Sequence, residues 1–203
     1  MKHYRIILII MIIGIASFLT SCASTPKVKR IDVDKIVDVG GRWNDTDSRL
    51  VAEDMIRDCL KRPFLERFKS KNNQVPTFIV GFIKNRSHEH INIQTFVKDL
   101  ERALINSGQV QFVASKGERG QIREERLDMA RHASEDTMKG PGEEVGADFM
   151  LIGEINTIRD EAGGKAVMYY QVNLELIAMA NNIKAWIGEK KIKKLIEKPR
   201  LSW

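Results

Sequence analysis

Residues 76–83 read Pro76-Thr77-Phe78-Ile79-Val80-Gly81-Phe82-Ile83, a run that is apolar almost throughout. Its β-branched and aromatic residues favour an extended strand, and the lack of polar alternation predicts that both faces of the strand are buried. A strand buried on both faces belongs in the interior of a sheet. We therefore expect this strand to lie centrally in a sheet that has helices packed on it.

Helical patterns flank this strand on both sides. Before it, residues 44–48 offer several N-terminal caps, and the apolar spacing beyond them predicts a helix over 48–60. Pro63 suits the first turn of a short second helix that runs to residue 68. After the polar loop 84–90, apolar residues recur at helical spacing and stop at a Ser-Gly pair that fits a helix end: Phe96, Val97, Leu100, Leu104, Ile105, Ser107 and Gly108.

The second half of the chain predicts more strands than helices. A short strand over 110–114 and a charged helix over 121–132 precede a second buried strand over 149–155. Gly163 and Gly164 predict a hairpin turn into an alternating strand. Residues 185–195 have two interpretations. As a helix, the segment would carry lysines on all sides, whereas in an antiparallel edge strand the lysines would guard against aggregation. We prefer the strand.

The predicted order is helix, strand, helix, strand, helix and then a meander of three strands. This order is typical of an α/β fold with a mixed sheet of four to five strands and helices packed on it. The chain has 203 residues, of which 43% are apolar and 30% charged, which is a globular composition with room for one domain.

The beginning of the chain has the pattern of a secretory signal. Lys2 and Arg5 precede an unbroken apolar block over 6–15, which is too short to span a bilayer comfortably. Leu19-Thr20-Ser21-Cys22 closes the segment and looks like a bacterial lipobox, in which Cys22 is acylated and becomes the new amino terminus. The alternatives are an ordinary signal peptide cut near Ser21 or an anchor that is left in place.

Lipidation at Cys22 predicts three parts: a signal peptide over 1–21, a lipidated cysteine with a tether over 22–44, and a globular domain over 45–198. Several acyl chains hold a protein on a membrane where one chain is marginal. Ala23 and Ser24 stand where an aspartate would favour retention in the inner membrane. We therefore expect the protein on the periplasmic side of the outer membrane.

The charge balance indicates an envelope partner. Removing Lys2 and Arg5 with the signal lowers the formal charge from +6 to +4, and the surplus is concentrated near the two ends of the mature chain. A basic cluster can attract nucleic acid or an anionic surface. An exported lipoprotein meets no nucleic acid, so a membrane, a wall polymer or an acidic protein is the expected partner.

The sequence contains no recognisable catalytic motif. His88-Glu89-His90 is the tightest group of possible metal ligands, but it lacks a clear third and fourth ligand for zinc. Cys59 falls on the apolar face of the first helix, where a free cysteine behaves as a small hydrophobe, and no disulfide is predicted. We therefore expect no enzyme activity, no cofactor and no metal.

Several blocks of the sequence together resemble the LpoB family. They keep their order over the whole mature domain: Asp47-Ser48-Arg49-Leu50-Val51-Ala52-Glu53-Asp54-Met55, Phe78-Ile79-Val80-Gly81, Asn85-Arg86-Ser87, Glu89-His90-Ile91, Gly146-Ala147-Asp148-Phe149-Met150-Leu151-Ile152-Gly153 and Gln171-Val172-Asn173-Leu174-Glu175-Leu176 with Trp186. Members of this family are outer-membrane lipoproteins that activate a class A penicillin-binding protein. The best-known members carry a long Pro-rich tether, whereas the predicted tether of this chain, residues 23–44, is short.

The resemblance implies a fold similar to the amino-terminal domain of TolB and a non-catalytic role. A monomer would dock on a small regulatory domain of the peptidoglycan synthase and raise its activity. For the contact we select Asn85, Arg86, Glu89 and His90, because functional loops often follow a buried strand and arginine is favoured at contact centres. The alternative is that these residues only cap the next helix and fix its loop.

Two other roles are compatible with the sequence. Some envelope assembly or secretion lipoproteins have a similar domain, and such a role predicts a ring-like oligomer. A wall-polymer binder or hydrolase without a recognised motif predicts retention or turnover on isolated sacculi in the absence of any partner.

Overall fold

A computed structural model of the protein describes residues 28–33, 35–134, 136–139, 142 and 144–197. The chain divides into two compact units between Lys35 and Ile36. The predicted signal peptide over 1–21, Cys22 and the last residues, 198–203, lie outside the described residues. Within the described part, none of the helices is both long and apolar enough to cross a membrane.

The second unit is an α/β fold with a five-stranded mixed sheet, as predicted. Its described helices are α1 (Asp45–Leu60), α2 (Pro63–Asn72), α3 (Ile93–Asn106) and α4 (Lys116–His132). Its described strands are β1 (Thr77–Arg86), β2 (Gln111–Phe112), β3 (Phe149–Ala162), β4 (Lys165–Ala178) and β5 (Lys184–Glu197). The strand interpretation of residues 185–195 is therefore confirmed.

The strands lie in the order β2-β1-β3-β4-β5. β1 is parallel to both of its neighbours, and β3, β4 and β5 form an antiparallel meander. The register of β1 with β3 runs from Phe78 beside Phe149 to Arg86 beside Asn156. The sheet therefore has two distinct ends, one where β1 and β3 begin and one where β1 leads into the loop 87–92.

Glycines allow the tight reversal that the sequence predicted between β3 and β4. The turn consists of Gly163 and Gly164, whose φ angles are 58° and 81°. Two consecutive positive φ angles match the right-handed twist of the flanking strands. The next reversal uses Asn182, whose φ is 61°.

One face of the sheet carries the core. β4 alternates strictly, with Tyr170, Val172 and Leu174 fully buried between half-buried residues of the opposite face. Cys59 lies on the buried face of α1, as its spacing predicted, and burial raises the pKa of its thiol to about 12. The thiol is therefore a packing group and stays protonated at physiological pH.

The prediction that β1 is buried on both faces is wrong. Phe78 and Ile83 are buried, but Phe82 is 76% exposed. The register with β3 shifts between Val80 and Ile83, as at a β-bulge. A run of apolar residues does not reveal that only one face of its strand is covered.

Two helices begin earlier than predicted because capping boxes define their starts. Asn44 and Asp47 cap α1 reciprocally, each side chain accepting a backbone N–H of the other at 3.0 Å. Ser115 and Glu118 cap α4 in the same way. Hydrogen bonds from Lys98 and Ser115 lower the pKa of Glu118 to about 2. These contacts support the start of α4, a helix without a buried residue.

Residues 36–44, called the strap below, belong to the second unit and pack against its sheet, although the sequence assigned them to the tether. Lys194 of β5 donates to the carboxylates of Asp38 at 2.7 Å and Asp47 at 2.6 Å, and to the carbonyl of Arg42 at 3.2 Å. Gly41 has a φ of 66°, and a Cβ there would lie 2.4 Å from Cγ1 of Ile196. The strap is therefore fastened to β5 and to the start of α1.

Candidate functional site

The four residues selected for partner contact lie at the end of the sheet where β1 leads into α3. Asn85 and Arg86 are the last residues of β1, and Glu89 and His90 lie in the loop 87–92. Asn92 caps α3 by accepting the N–H of Gln94 at 3.1 Å. The loop is thus held between a strand end and a capped helix.

Asn85 organises this loop from within. Its side-chain oxygen accepts the backbone N–H of Ser87 at 2.9 Å. Its side-chain nitrogen donates to the carbonyl of Glu89 at 2.8 Å. Both ends of the amide are therefore used inside the loop, and they fix the loop's shape.

Glu89 fastens the loop to the strap and to the core. Its Oε2 accepts the backbone N–H of Trp43 at 3.1 Å and the hydroxyl of Tyr170 at 2.9 Å. Burial, followed by the hydrogen bond to Glu89, raises the pKa of Tyr170. The ring centroids of Trp43 and Tyr170 lie 5.5 Å apart. One carboxylate therefore joins three parts of the chain.

Arg86 and His90 present their side chains to solvent. Arg86 is 57% exposed, and its Nε lies 2.8 Å from Oε2 of Glu154 on β3. A hydrogen bond from Asn156, together with the charge of Arg86, lowers the pKa of Glu154. His90 is exposed beside the buried Ile91. These two side chains are therefore accessible from solvent.

The histidine cluster of the loop does not converge on a metal. The N–H of His88 donates to Oγ1 of Thr157 at 3.1 Å, and its ring Nδ1 lies 2.9 Å from the same hydroxyl. The Glu89 carboxylate turns instead toward Trp43 and Tyr170. Across the described part of the chain, no three His, Cys, Asp or Glu side chains are grouped closely enough to hold a metal ion.

Sequence reasoning missed the residues that hold the loop in place. Trp43 and Tyr170 lie 46 and 81 positions from Glu89 along the chain. The one local signal was Trp43 itself, a large aromatic residue in a stretch assigned to the tether. The site therefore divides into positioning residues, Asn85 and Glu89, and outward-facing residues, Arg86 and His90.

A family model described as the peptidoglycan-synthase activator LpoB matches residues 47–192. No protein sequence with a curated description matches the chain. Among solved structures, the LpoB C-terminal domain from Salmonella enterica is 12% identical, with 73% of this chain and 99% of that chain covered at a TM-score of 0.43. The C-terminal domain from Escherichia coli is 14% identical, covering 65% and 94% at 0.37. The NMR structure of E. coli LpoB is 13% identical, covering 87% of each chain at 0.41.

Proposed function

The chain belongs to the LpoB family of peptidoglycan-synthase activators, and on this premise we propose that it is a non-catalytic outer-membrane lipoprotein that binds and activates a class A penicillin-binding protein. The observation that carries the proposal is the family match over residues 47–192, which includes the loop 87–92 and most of the folded unit. Regulation of cell-wall synthesis is then its cellular role.

The proposed anchor is a lipid on Cys22, which follows the lipobox-like Leu19-Thr20-Ser21. With residues 36–44 packed on the sheet, residues 23–35 are left to link lipid and domain. Fully extended, they span at most about 45 Å at ~3.5 Å per residue. The domain therefore meets its partner close to the periplasmic face of the outer membrane.

The proposed contact with the synthase uses Arg86 and His90. Arginine supplies a planar donor fork that suits carboxylates of a partner, and its ion pair with Glu154 is exposed enough to exchange. Asn85 and Glu89 keep the loop in one shape, so little ordering entropy is lost on binding. The regulatory domain of the synthase is the proposed docking site.

Activation follows from a difference in affinity. A ligand raises the active fraction of its partner only as far as it binds the active state better than the resting state. A tenfold preference corresponds to about 1.4 kcal/mol. The protein needs no chemistry of its own for this effect.

The experiment measures glycan polymerisation by a purified class A synthase with and without the full-length lipidated protein in detergent, and binding of the two by co-purification. We expect stimulation by the wild type. The test variant is Arg86→Ala/His90→Ala, and the matched control is Arg131→Ala/His132→Ala at the exposed end of α4. The loop variant should bind the synthase at least about tenfold more weakly, a loss of ~1.4 kcal/mol, while the control matches the wild type.

Four other outcomes would contradict parts of the proposal. Absence of any synthase binding by the wild type would remove the activator role. Equal binding by both double variants would remove the loop assignment and leave the role. A ring-like oligomer by light scattering, or retention on sacculi without a synthase, would favour the assembly role or the wall-binding role respectively.

A further inference from the structure

A hollow of about 760 Å³ lies at the opposite end of the sheet from the loop 87–92. It is bounded by α2, by the start of β3 and by the connection between β4 and β5. We call it the basic groove, and the side chains that define it are Phe64, Arg67, Phe68, Lys71, Phe149 and Ile183. Four other hollows between described residues are smaller, with volumes of about 230 to 420 Å³.

Aromatic rings form a rigid floor for the groove. The ring centroid of Phe149 lies 5.5 Å from that of Phe64 and 5.6 Å from that of Phe68, both in edge-to-face geometry. Phe64 and Phe149 are also part of the protein's core. At the rim, Met179 is 48% exposed and Ile183 is 60% exposed. The groove therefore offers apolar surface that is already in place before any ligand arrives.

Two of the three cations at the rim of the groove have no internal partner among the described residues. Arg67 and Lys71 are one helical turn apart on α2, and both are exposed. In the part of the chain that the structure describes, neither side chain makes an ion pair or a hydrogen bond. Lys184 adds a third cation, which is paired with Glu175 at 2.8 Å. Asp148 is turned inward, where it accepts the N–H of Thr77 at 2.7 Å.

The arginines of the neighbouring helix α1, in contrast, form ion pairs. On α1, Arg49 lies 3.6 Å from Glu53, and Arg57 lies 3.0 Å from Asp54. Two like charges one turn apart destabilise a helix slightly. Arg67 and Lys71 thus keep a small repulsion beside an apolar recess, which an anionic ligand would relieve.

We propose that the basic groove binds a short acidic segment of a protein partner, one in which aspartates or glutamates flank an apolar anchor. The anchor side chain fits between Phe68 and Ile183, and the carboxylates face Arg67 and Lys71. A flat bilayer surface cannot enter such a recess, which favours a peptide over a membrane. The proposal goes beyond synthase activation, because it adds a second contact surface at the other end of the sheet.

The test uses the full-length protein in detergent and a fluorescein-labelled peptide with leucine and phenylalanine between aspartates. The control peptide carries lysines in place of the aspartates, and a second control replaces the apolar residues with serine. Fluorescence anisotropy measures binding at low and at physiological salt, because exposed charge pairs weaken with ionic strength. We expect binding of the acidic apolar peptide and at least tenfold weaker binding of each control peptide.

The protein variant for the test is Arg67→Glu/Lys71→Glu. The matched control is Lys61→Glu/Lys69→Glu, which makes the same change of charge beside and on α2 but outside the groove lining. The groove variant should bind the acidic peptide at least tenfold more weakly than the wild type, and the control should match the wild type. Thermal unfolding by circular dichroism checks that both variants are folded.

Three results would overturn the proposal: no binding of the acidic peptide by the wild type, equal binding by the two double variants, or equal binding of acidic and basic peptides. Binding to phosphatidylglycerol vesicles that depends on Arg67 and Lys71, without binding of the peptide, would assign the groove to anionic lipid instead. Because the assay contains no synthase, its failure is distinct from failure of the activator role.

Discussion

The two ends of the sheet use their polar side chains in opposite ways. At the loop end, Asn85 and Glu89 form hydrogen bonds with other parts of the same chain. At the groove end, Arg67 and Lys71 stand exposed beside an apolar recess. The first arrangement holds the protein together, whereas the second leaves charge available for another molecule.

The difference shows that one polar motif can contain both groups that hold the local structure and groups that face solvent. Four residues of 85–90 were selected because their loop follows a strand and arginine is favoured at contact centres. Two of them, Asn85 and Glu89, hydrogen bond within the same chain. Arg67 and Lys71 could not be selected from the sequence, since single lysines and arginines on a helix are common. Their significance appears only when the recess beside them is known.

The largest expected effect tests whether the strap belongs to the folded unit. In Trp43→Ala, the ring contacts with Phe96 at 6.0 Å and Tyr170 at 5.5 Å are lost. Because Trp43 is half-buried, we expect the free energy of unfolding to fall by about 3 kcal/mol. Urea unfolding followed by circular dichroism measures it. Ile36→Ala, at a strap position that is 63% exposed, should change stability by less than about 0.5 kcal/mol.

A loss of less than about 1 kcal/mol in Trp43→Ala would mean that the strap is dispensable. The loop end would then lack the fastening that distinguishes it from the groove end.

The second prediction concerns the carboxylate that joins the loop to the core. Glu89→Ala leaves the Trp43 N–H without its acceptor and removes the nearer acceptor, at 2.9 Å, of the buried Tyr170 hydroxyl, which keeps only the carbonyl of Gly41 at 3.3 Å. An unmet buried donor costs 1–3 kcal/mol, so we expect the free energy of unfolding to fall by about 2 kcal/mol. His90→Ala, one residue further in the same loop, is the control and should leave stability within about 0.5 kcal/mol. Equal effects of the two substitutions would show that Glu89 is not a fastening group.

The third prediction is a pH dependence at the strap. Lys194→Met removes the ammonium that bonds Asp38 and Asp47, and we expect a loss of about 1.5 kcal/mol at neutral pH, since Asp38 is 48% exposed. Lys193→Met, an exposed neighbour on the other face of β5, is the control and should have little effect. Unfolding midpoints in urea over a range of pH measure both.

The pKa shifts of Asp38 and Lys194 decide how the stability changes in acid and in base. The hydrogen bond from Lys194 lowers the pKa of Asp38 below 3.8, so this stability is present above about pH 4 and is lost as pH falls through the lowered pKa. Burial opposes the charge of Lys194, but hydrogen bonds to Asp38 and Asp47 outweigh it and raise its pKa above 10.5. The contribution is therefore complete below about pH 10 and is lost as pH rises through the raised pKa. A difference between wild type and variant that stays constant into acid would contradict this account.

Local rules predicted most of the fold. The apolar spacing and Gly108 located the end of α3, and two glycines located the turn between β3 and β4. The many lysines favoured an edge strand over a helix at β5. These features depend on neighbours within a few positions, which a single sequence displays directly.

Burial and long-range pairing could not be predicted in the same way. The exposed Phe82 and the shift in register after Val80 depend on what covers each face of β1. The bond between Glu89 and Tyr170 joins residues 81 positions apart. A single sequence carries no signal for such a pair, so the loop's position after a strand was predictable and its internal fastening was not.

The smallest expected effect sharpens the contrast most. Arg67→Glu/Lys71→Glu should change the free energy of unfolding by less than about 0.5 kcal/mol, because both side chains are exposed and neither has a partner in the described residues. A glutamate in the last turn of α2 opposes the helix dipole by a few tenths of a kcal/mol, which sets the expected sign as destabilising. Urea unfolding measures this change, with Lys61→Glu/Lys69→Glu as the control.

A loss above about 1 kcal/mol would make these cations structural, like Glu89, and the two ends of the sheet would no longer differ. Unchanged stability together with lost peptide binding would separate holding the fold from holding a ligand.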